Sequence, residues 1–271
     1  MNNNAIERTG SNVPEKRRID VSAIARNASA DDEWRLMNAA LERLGQVEAR
    51  EQSPARRSGR LIFGLDLTGS REHSLRQARI ATAAMFNTIK SLGAVAVKLV
   101  YYRGSECRAG AWHDDPGVVS AAMLRLSCKT GYTQIGKVLR FALDEKQPLS
   151  GLVLIVDHFE EDADELAGLA QKLGAKGIRI FAFHECSDHD ARSLEARPVF
   201  ECMAELSGGL YSEFKTDSGA TLRELLATVA VFSAAGHEGL KQIGQPLTPE
   251  ARQLRGSLLL LTDGNSNGGR R

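Results

Sequence analysis

The sequence predicts an α/β domain built on a doubly wound, mostly parallel sheet with one short antiparallel edge strand. Three observations carry this expectation. From Arg60 onward, short apolar runs alternate with segments of helical period, the pattern of a sheet covered on both faces. The run Leu152-Val153-Leu154-Ile155-Val156 has no polar alternation, as a strand buried on both sides requires. Arg103-Gly104-Ser105 is too short for a crossover, so Glu106 to His113 must turn back beside the strand that precedes it.

Residues 1–28 are rich in Asn, Arg, Glu and Ser and read as a disordered arm. A helix follows, with Ser29-x-x-Asp32 in capping-box form and Trp34, Met37, Leu41 and Leu44 at helical spacing. Pro54 and three arginines mark residues 50–59 as a linker. The first strand is expected over Leu61 to Leu67. Arg71 to Leu92 then forms a helix whose stripe is Leu75, Ala78, Met85, Ile89 and Leu92, ended by Gly93. Ala94 to Tyr102 is the second strand, Asp115 to Leu126 and Thr133 to Leu143 are helices, and Leu152 to Val156 is a central strand. Glu160-Glu161-Asp162 places acid in the first turn of a helix carrying Leu166, Leu169 and Leu173 to a Gly174 stop. Ile178 to Phe183 is a strand, Pro198 to Leu206 a helix, Leu210 to Phe214 a strand, and Thr221 to Ala235 a closing helix. Thr248-Pro249-Glu250 starts one more short helix, with Thr as cap and Pro at the first position. The expected organisation is an arm, helix and linker over 1–59, a domain over 60–235, and an extension over 236–271.

Composition narrows the function classes. The 271 residues are 42% hydrophobic, enough for one well-packed domain with appended segments. A formal net charge of +1 gives no basic field, which argues against nucleic acid as the default partner. Cys107, Cys128, Cys186 and Cys202 lack CxxC spacing and read as reduced thiols. Met1 to Asp20 has no apolar signal core, and no run approaches the roughly 20 residues of a membrane span, so a soluble cytoplasmic protein is expected.

The chemistry concentrates in three segments. Asp66-Leu67-Thr68-Gly69-Ser70 leaves the first strand with a carboxylate and two hydroxyls within five residues. Thr133 lies where a helix opens, and Asp157 ends the strand Leu152 to Val156. Hard cations such as Mg2+ take oxygen ligands of these kinds. Asp66, Thr68 and Ser70 could instead cap a helix, but two further oxygen donors at strand-end and helix-start positions favour a metal site.

In this order the segments resemble the von Willebrand factor A domain, whose metal-ion-dependent adhesion site combines Asp-x-Ser-x-Ser with a distant Thr and a distant Asp. The resemblance covers about residues 60–235. It implies a Rossmann-like fold and a Mg2+ or Mn2+ ion held directly by Thr68, Ser70 and Thr133, with Asp66 and Asp157 acting through water. Thr68 departs from the family's Ser yet keeps the hydroxyl. His158 stands where Gly is common, and reads as a surface loop histidine or as a contact at the rim of the site.

Two other motifs weigh less. Gly131-x-x-x-x-Gly136-Lys137 is close to a phosphate loop, but Val138 replaces the Ser or Thr that would bind Mg2+. His184, Cys186 and His189 are residue types that Zn2+ accepts, although their spacing matches no common structural site, and they read as a polar loop after the strand.

The functional expectation is a noncatalytic interaction module that binds a partner's Asp or Glu through the metal. Intracellular bacterial relatives of the resembled family often work beside AAA+ ATPases, which makes such a machine the implied partner. One alternative is a haloacid-dehalogenase-like phosphoryl hydrolase with Asp66 as nucleophile, which would need a carboxylate where Thr68 stands. The other is a structural domain with an empty site.

Overall fold

The computed structural model describes residues 59–71, 75, 80–81, 95–123, 125–186, 190–215, 218–242 and 244–261. The expected arm, the helix from Ser29, the linker before Gly59, most of the helix over 71–92 and the tail from Thr262 lie outside these residues.

Among the described residues the sheet has six strands: β1 (Gly59–Asp66), β2 (Val95–Arg103), β3 (Glu106–His113), β4 (Gly151–Val156), β5 (Ile180–Glu185) and β6 (Leu210–Phe214), in the order β3-β2-β1-β4-β5-β6. β1 runs parallel to β2 on one side and to β4 on the other, β4 to β5 and β5 to β6 are parallel, and β3 alone is antiparallel. The fold class expected from sequence is therefore the one observed. Described helices are α1 (Pro116–Met123), α2 (Ile135–Leu143), α3 (Ala163–Ala175), α4 (Ala191–Leu206), α5 (Gly219–Gln242) and α6 (Pro249–Leu260).

Alternation along the strands builds two cores. Leu61, Phe63 and Leu65 face a layer with Val97, Val153, Phe181 and Phe183, covered by Leu222, Leu226 and Val229 of α5. Ile62 faces the opposite layer with Leu152, Leu154 and Ile180, covered by Val138 and Leu139 of α2, Leu173 of α3 and Phe200 of α4. Each such side chain removed from water contributes about 1.5–3 kcal/mol, which is why these runs select a buried parallel sheet.

The chain moves outward from β1 to β2 and β3, then returns to lay β4, β5 and β6 on the other side of β1. The winding reverses between β1 and β4, and the crevice beyond the carboxyl ends of these strands is where open α/β sheets bind ligands. Asp66 is the last residue of β1 and Asp157 the first after β4.

Several elements differ from expectation; β5 spans Ile180–Glu185 rather than Ile178 to Phe183, which makes His184 and Glu185 strand residues, and α2 opens at Ile135, which leaves Thr133 on a loop. α4 begins at Ala191 rather than Pro198, because Asp190 accepts from the Arg192 amide at 3.0 Å and caps it. Pro198 is carried inside the helix; only the amide that would bond Leu194 is lost, at an exposed position. α3 starts at Ala163 with Asp162 as its cap, so Glu160 and Glu161 lie outside it. α5 continues past Ala235 to Gln242 through a kink at Gly236, whose φ of 59° suits glycine. The segment beyond it joins the first core, where Leu240 and the α6 residues Ala251, Leu254 and Leu258 are buried.

Candidate metal centre

Asp66 is 1% exposed at the end of β1. Its Oδ1 accepts from the Thr68 amide at 2.7 Å, and the Thr68 and Ser70 hydroxyls lie 3.1 Å apart. The Arg71 amide bonds the Thr68 carbonyl at 3.1 Å and closes the short 3-10 turn Gly69–Arg71, which fixes the two hydroxyls relative to Asp66. Among the described residues, Asp66 Oδ2 is buried with no hydrogen-bond partner. Burial, and then the charge of Asp157, push the Asp66 carboxyl up to about 6, against the pull of Arg71 and the Thr68 hydrogen bonds. Tyr102 is the register partner of Asp66 on β2, and burial, followed by Asp66, keeps its phenol un-ionised.

Leu65 pairs with Ile155, so Asp66 and Asp157 emerge from adjacent strand ends just beyond that pair. Asp157 Oδ1 accepts from the His158 amide at 2.9 Å and meets His158 Nδ1 at 3.0 Å. Burial opposes ionisation of Asp157, yet the His158 hydrogen bond, the Arg71 charge and the Ser70 hydroxyl hold its carboxyl well below the usual range. His158 is 5% exposed and is not a surface histidine. It orients Asp157 from within, and that hydrogen bond raises the imidazole's affinity for a proton.

Thr133 arrives on the loop before α2. Its amide donates to Glu160 Oε2 at 3.0 Å, and its hydroxyl accepts from the Glu160 amide at 2.9 Å. This reciprocal clasp ties Thr133 to the segment that begins with Asp157. Glu161 caps α2, accepting from the Ile135 and Gly136 amides at 2.7 Å each. Those are the N–H groups a phosphate would need, so the loop that resembles a phosphate cradle already holds an anion of its own. Docking of Lys129 N on the Leu67 carbonyl at 3.0 Å brings the same loop against the Asp66–Ser70 loop. Gln134 Nε2 donates to the carbonyls of Gly104 and Glu106, anchoring the loop to the β2–β3 turn.

Gly131 is required by this docking, because a Cβ there would stand 2.3 Å from the Gly104 carbonyl oxygen. Gly131→Ala should cost about 1–3 kcal/mol of stability and displace Thr133. Thermal melting combined with Mn2+ titration checks both effects; an unchanged melting curve would show that the loop is not clamped.

The sequence did not reveal Arg71 and Glu185. Arg71 is 1% exposed and pairs with Glu185 at the end of β5, where Glu185 is 6% exposed. A signal was available, since a basic residue directly after the hydroxyls, at the expected start of a helix, opposes the helix dipole. With His158 neutral, three carboxylates (Asp66, Asp157, Glu185) against one guanidinium leave a net charge of −2 when all are ionised.

All five expected residues therefore lie on three loops docked together at the carboxyl ends of β1 and β4. The donors are carboxylate and hydroxyl oxygens, and the buried Asp66 carboxylate sits among more negative charge than the single Arg71 guanidinium offsets. A hard divalent cation suits both features.

Comparison with solved structures settles the architecture. A von Willebrand factor type A protein from Catenulispora acidiphila shares 18% identity, with a TM-score of 0.50 over 65% of this chain and 42% of that one. The chain has the von Willebrand factor A fold. An aerotolerance-related membrane protein from Bacteroides fragilis, carrying multiple mutations to serines, matches at 14% identity and TM-score 0.50 over 64% of this chain and 98% of that one. The pilus adhesin SpaC from Lactobacillus rhamnosus GG matches at 12% identity and TM-score 0.53, over 66% of this chain and 31% of that one. The chain thus spans less than half the length of two of these three. No protein-family model matches the sequence, and no curated protein does. Among the described residues no helix is long and apolar enough to cross a membrane.

Proposed function

We propose that this von Willebrand factor A-type domain is a noncatalytic intracellular module that binds a protein partner through a divalent ion, Mg2+ or Mn2+, at Asp66, Thr68, Ser70, Thr133 and Asp157. The observation that carries the reading is the buried Asp66 carboxylate, pushed up by burial and by a second carboxylate beside it, with the Tyr102 phenol as its neighbour on β2. An ion with two positive charges relieves the repulsion, and hydroxyls with spare lone pairs complete an oxygen shell. The Thr133 hydroxyl, which accepts one hydrogen bond from Glu160, keeps a second lone pair for the ion.

When bound, the ion supplies a Lewis-acidic position for a partner's Asp or Glu. The chain's own residues supply orientation: His158 holds Asp157, the Glu160 clasp holds Thr133, and the 3-10 turn holds Thr68 and Ser70. Tyr132, 76% exposed beside Thr133, gives the rim an aromatic contact of the kind enriched at interfaces. A noncatalytic role is favoured because Thr68 stands where a haloacid-dehalogenase-like hydrolase needs its second carboxylate. An AAA+ ATPase or a similar machine is the class of partner we favour.

The test is capture in Mg2+ from cells of the source organism. Wild-type bait should recover a partner that chelator releases, whereas Asp66→Ala and Ser70→Ala baits with unchanged circular dichroism should recover none. Equal capture by Asp66→Ala bait in chelator would place the interface on another surface.

A further inference from the structure

Outside the proposed Mg2+ site, β5 and β6 bring four polar side chains into one patch. His184 is the register partner of Glu213, and the two strands are parallel. Tyr211 lies two residues before Glu213 on β6, and Cys186, directly after β5, lies two residues beyond His184 in register with β6, so all four share one face of the sheet. The Cys186 amide bonds the Phe214 carbonyl at 2.9 Å, which pins Cys186 against β6. Ligand atoms of His184, Cys186 and Glu213 all lie within 4.8 Å of one another. His184 is 0% and Cys186 6% exposed, so this is a built cluster rather than the polar loop expected from sequence; His189 lies outside the described residues.

The hydrogen bonds fix the chemistry. His184 Nε2 lies 2.9 Å from the Asp157 carbonyl, which can only accept, so Nε2 carries a proton; Nδ1 meets the Tyr211 hydroxyl at 2.8 Å, which in turn donates to Glu213 Oε1 at 2.7 Å. A ring N–H held by a backbone carbonyl is how metal-ligating histidines are oriented. The cluster already attracts a cation: Arg197 Nε lies 2.5 Å from Glu213 Oε1, and Arg197 Nη2 lies 3.6 Å from Cys186 Sγ. The Arg197 side chain is 40% exposed, so it can withdraw to solvent.

We infer that His184 Nδ1, Cys186 Sγ and the Glu213 carboxylate form a binding site for Zn2+ or a similar borderline-soft divalent ion, which displaces the resident Arg197 cation and the Tyr211 hydroxyl that bridges His184 and Glu213. A nitrogen, a sulfur and an oxygen donor suit Zn2+, with water in the fourth position and ligand distances of about 2.0–2.3 Å. The thiolate discriminates against Mg2+, so the two sites sort ions by donor type. On binding, the Cys186 S–H bond breaks, its proton goes to solvent, and the S–metal bond forms without change of oxidation state. The site meets the first one through the Asp157 carbonyl that His184 holds and through Glu185, which lies between His184 and Cys186 in the chain and pairs with Arg71.

Titrating the full chain with Co2+ in excess Mg2+ tests this, because a thiolate ligand adds a charge-transfer band that an all-oxygen site lacks. Wild type should show the band, and Arg197→Ala should show it at roughly tenfold lower Co2+, since a charge-paired competitor is gone. Zn2+ should erase it. Cys186→Ser should lose it with circular dichroism intact, and Asp66→Asn should keep it, which separates this site from the first. Absence of the band in both wild type and Arg197→Ala, or its persistence in Cys186→Ser, would overturn the assignment.

Discussion

Asp66→Asn should leave the protein more stable than wild type in chelator at neutral pH, and unresponsive to Mn2+. The folded chain raises this carboxyl from 3.8 to about 6, so at neutral pH the ionised group opposes folding by roughly 2–3 kcal/mol. A group raised in this way contributes stability when protonated, fully below about pH 4, and that contribution is lost as pH rises through about 6. The gap between the variant and wild type should therefore close on acidification from neutral pH. Mn2+ should stabilise wild type at neutral pH and progressively less below about 6, where protons compete for the same oxygen. Thermal melts across pH, with and without Mn2+, give all of this in one series. An Asn variant no more stable than wild type in chelator would mean that Asp66 is not held as a buried anion under repulsion.

Arg71→Met should have the opposite sign and the larger effect. It leaves Glu185, Asp66 and Asp157 buried or nearly so without their cation, and breaking a buried pair in this way costs about 3–5 kcal/mol. Mn2+ should recover part of that loss and should bind the variant more tightly than wild type, because the guanidinium no longer opposes it. If the variant proves too unstable to purify, Arg71→Met combined with Glu185→Gln removes both charges of the pair and should still bind Mn2+ more tightly. Weaker binding by both variants would show that Arg71 supports the ion rather than competing with it.

The strands of this fold were legible because burial on both faces forces continuous apolar runs, as in Leu152 to Val156. The antiparallel edge strand was legible because three residues cannot cross a sheet, and Glu106–His113 pairs as expected. The three site segments were legible as local motifs at strand ends. What joins them was not. Glu160 and Glu161 look like helix-start acids in sequence, yet they reach back to Thr133, Ile135 and Gly136 across a distance no local pattern encodes. Arg71 meets Glu185, and His184 faces Glu213, only through the registers of β4, β5 and β6. His158 is buried because Asp157 holds it, which neighbouring residue types alone do not reveal. Pro198 misled for a related reason: the Asp190 cap and the packing of Ala196, Phe200 and Met203 outweigh one missing amide.

The most direct measurement of the central claim is anomalous diffraction from crystals of the full chain grown with Mn2+. One strong peak should lie among Asp66, Ser70, Thr133 and Asp157, and it should vanish in Thr133→Val crystals of the same form. A Mn2+ peak elsewhere with none at these loops, or a peak that Thr133→Val leaves unchanged, would contradict the account.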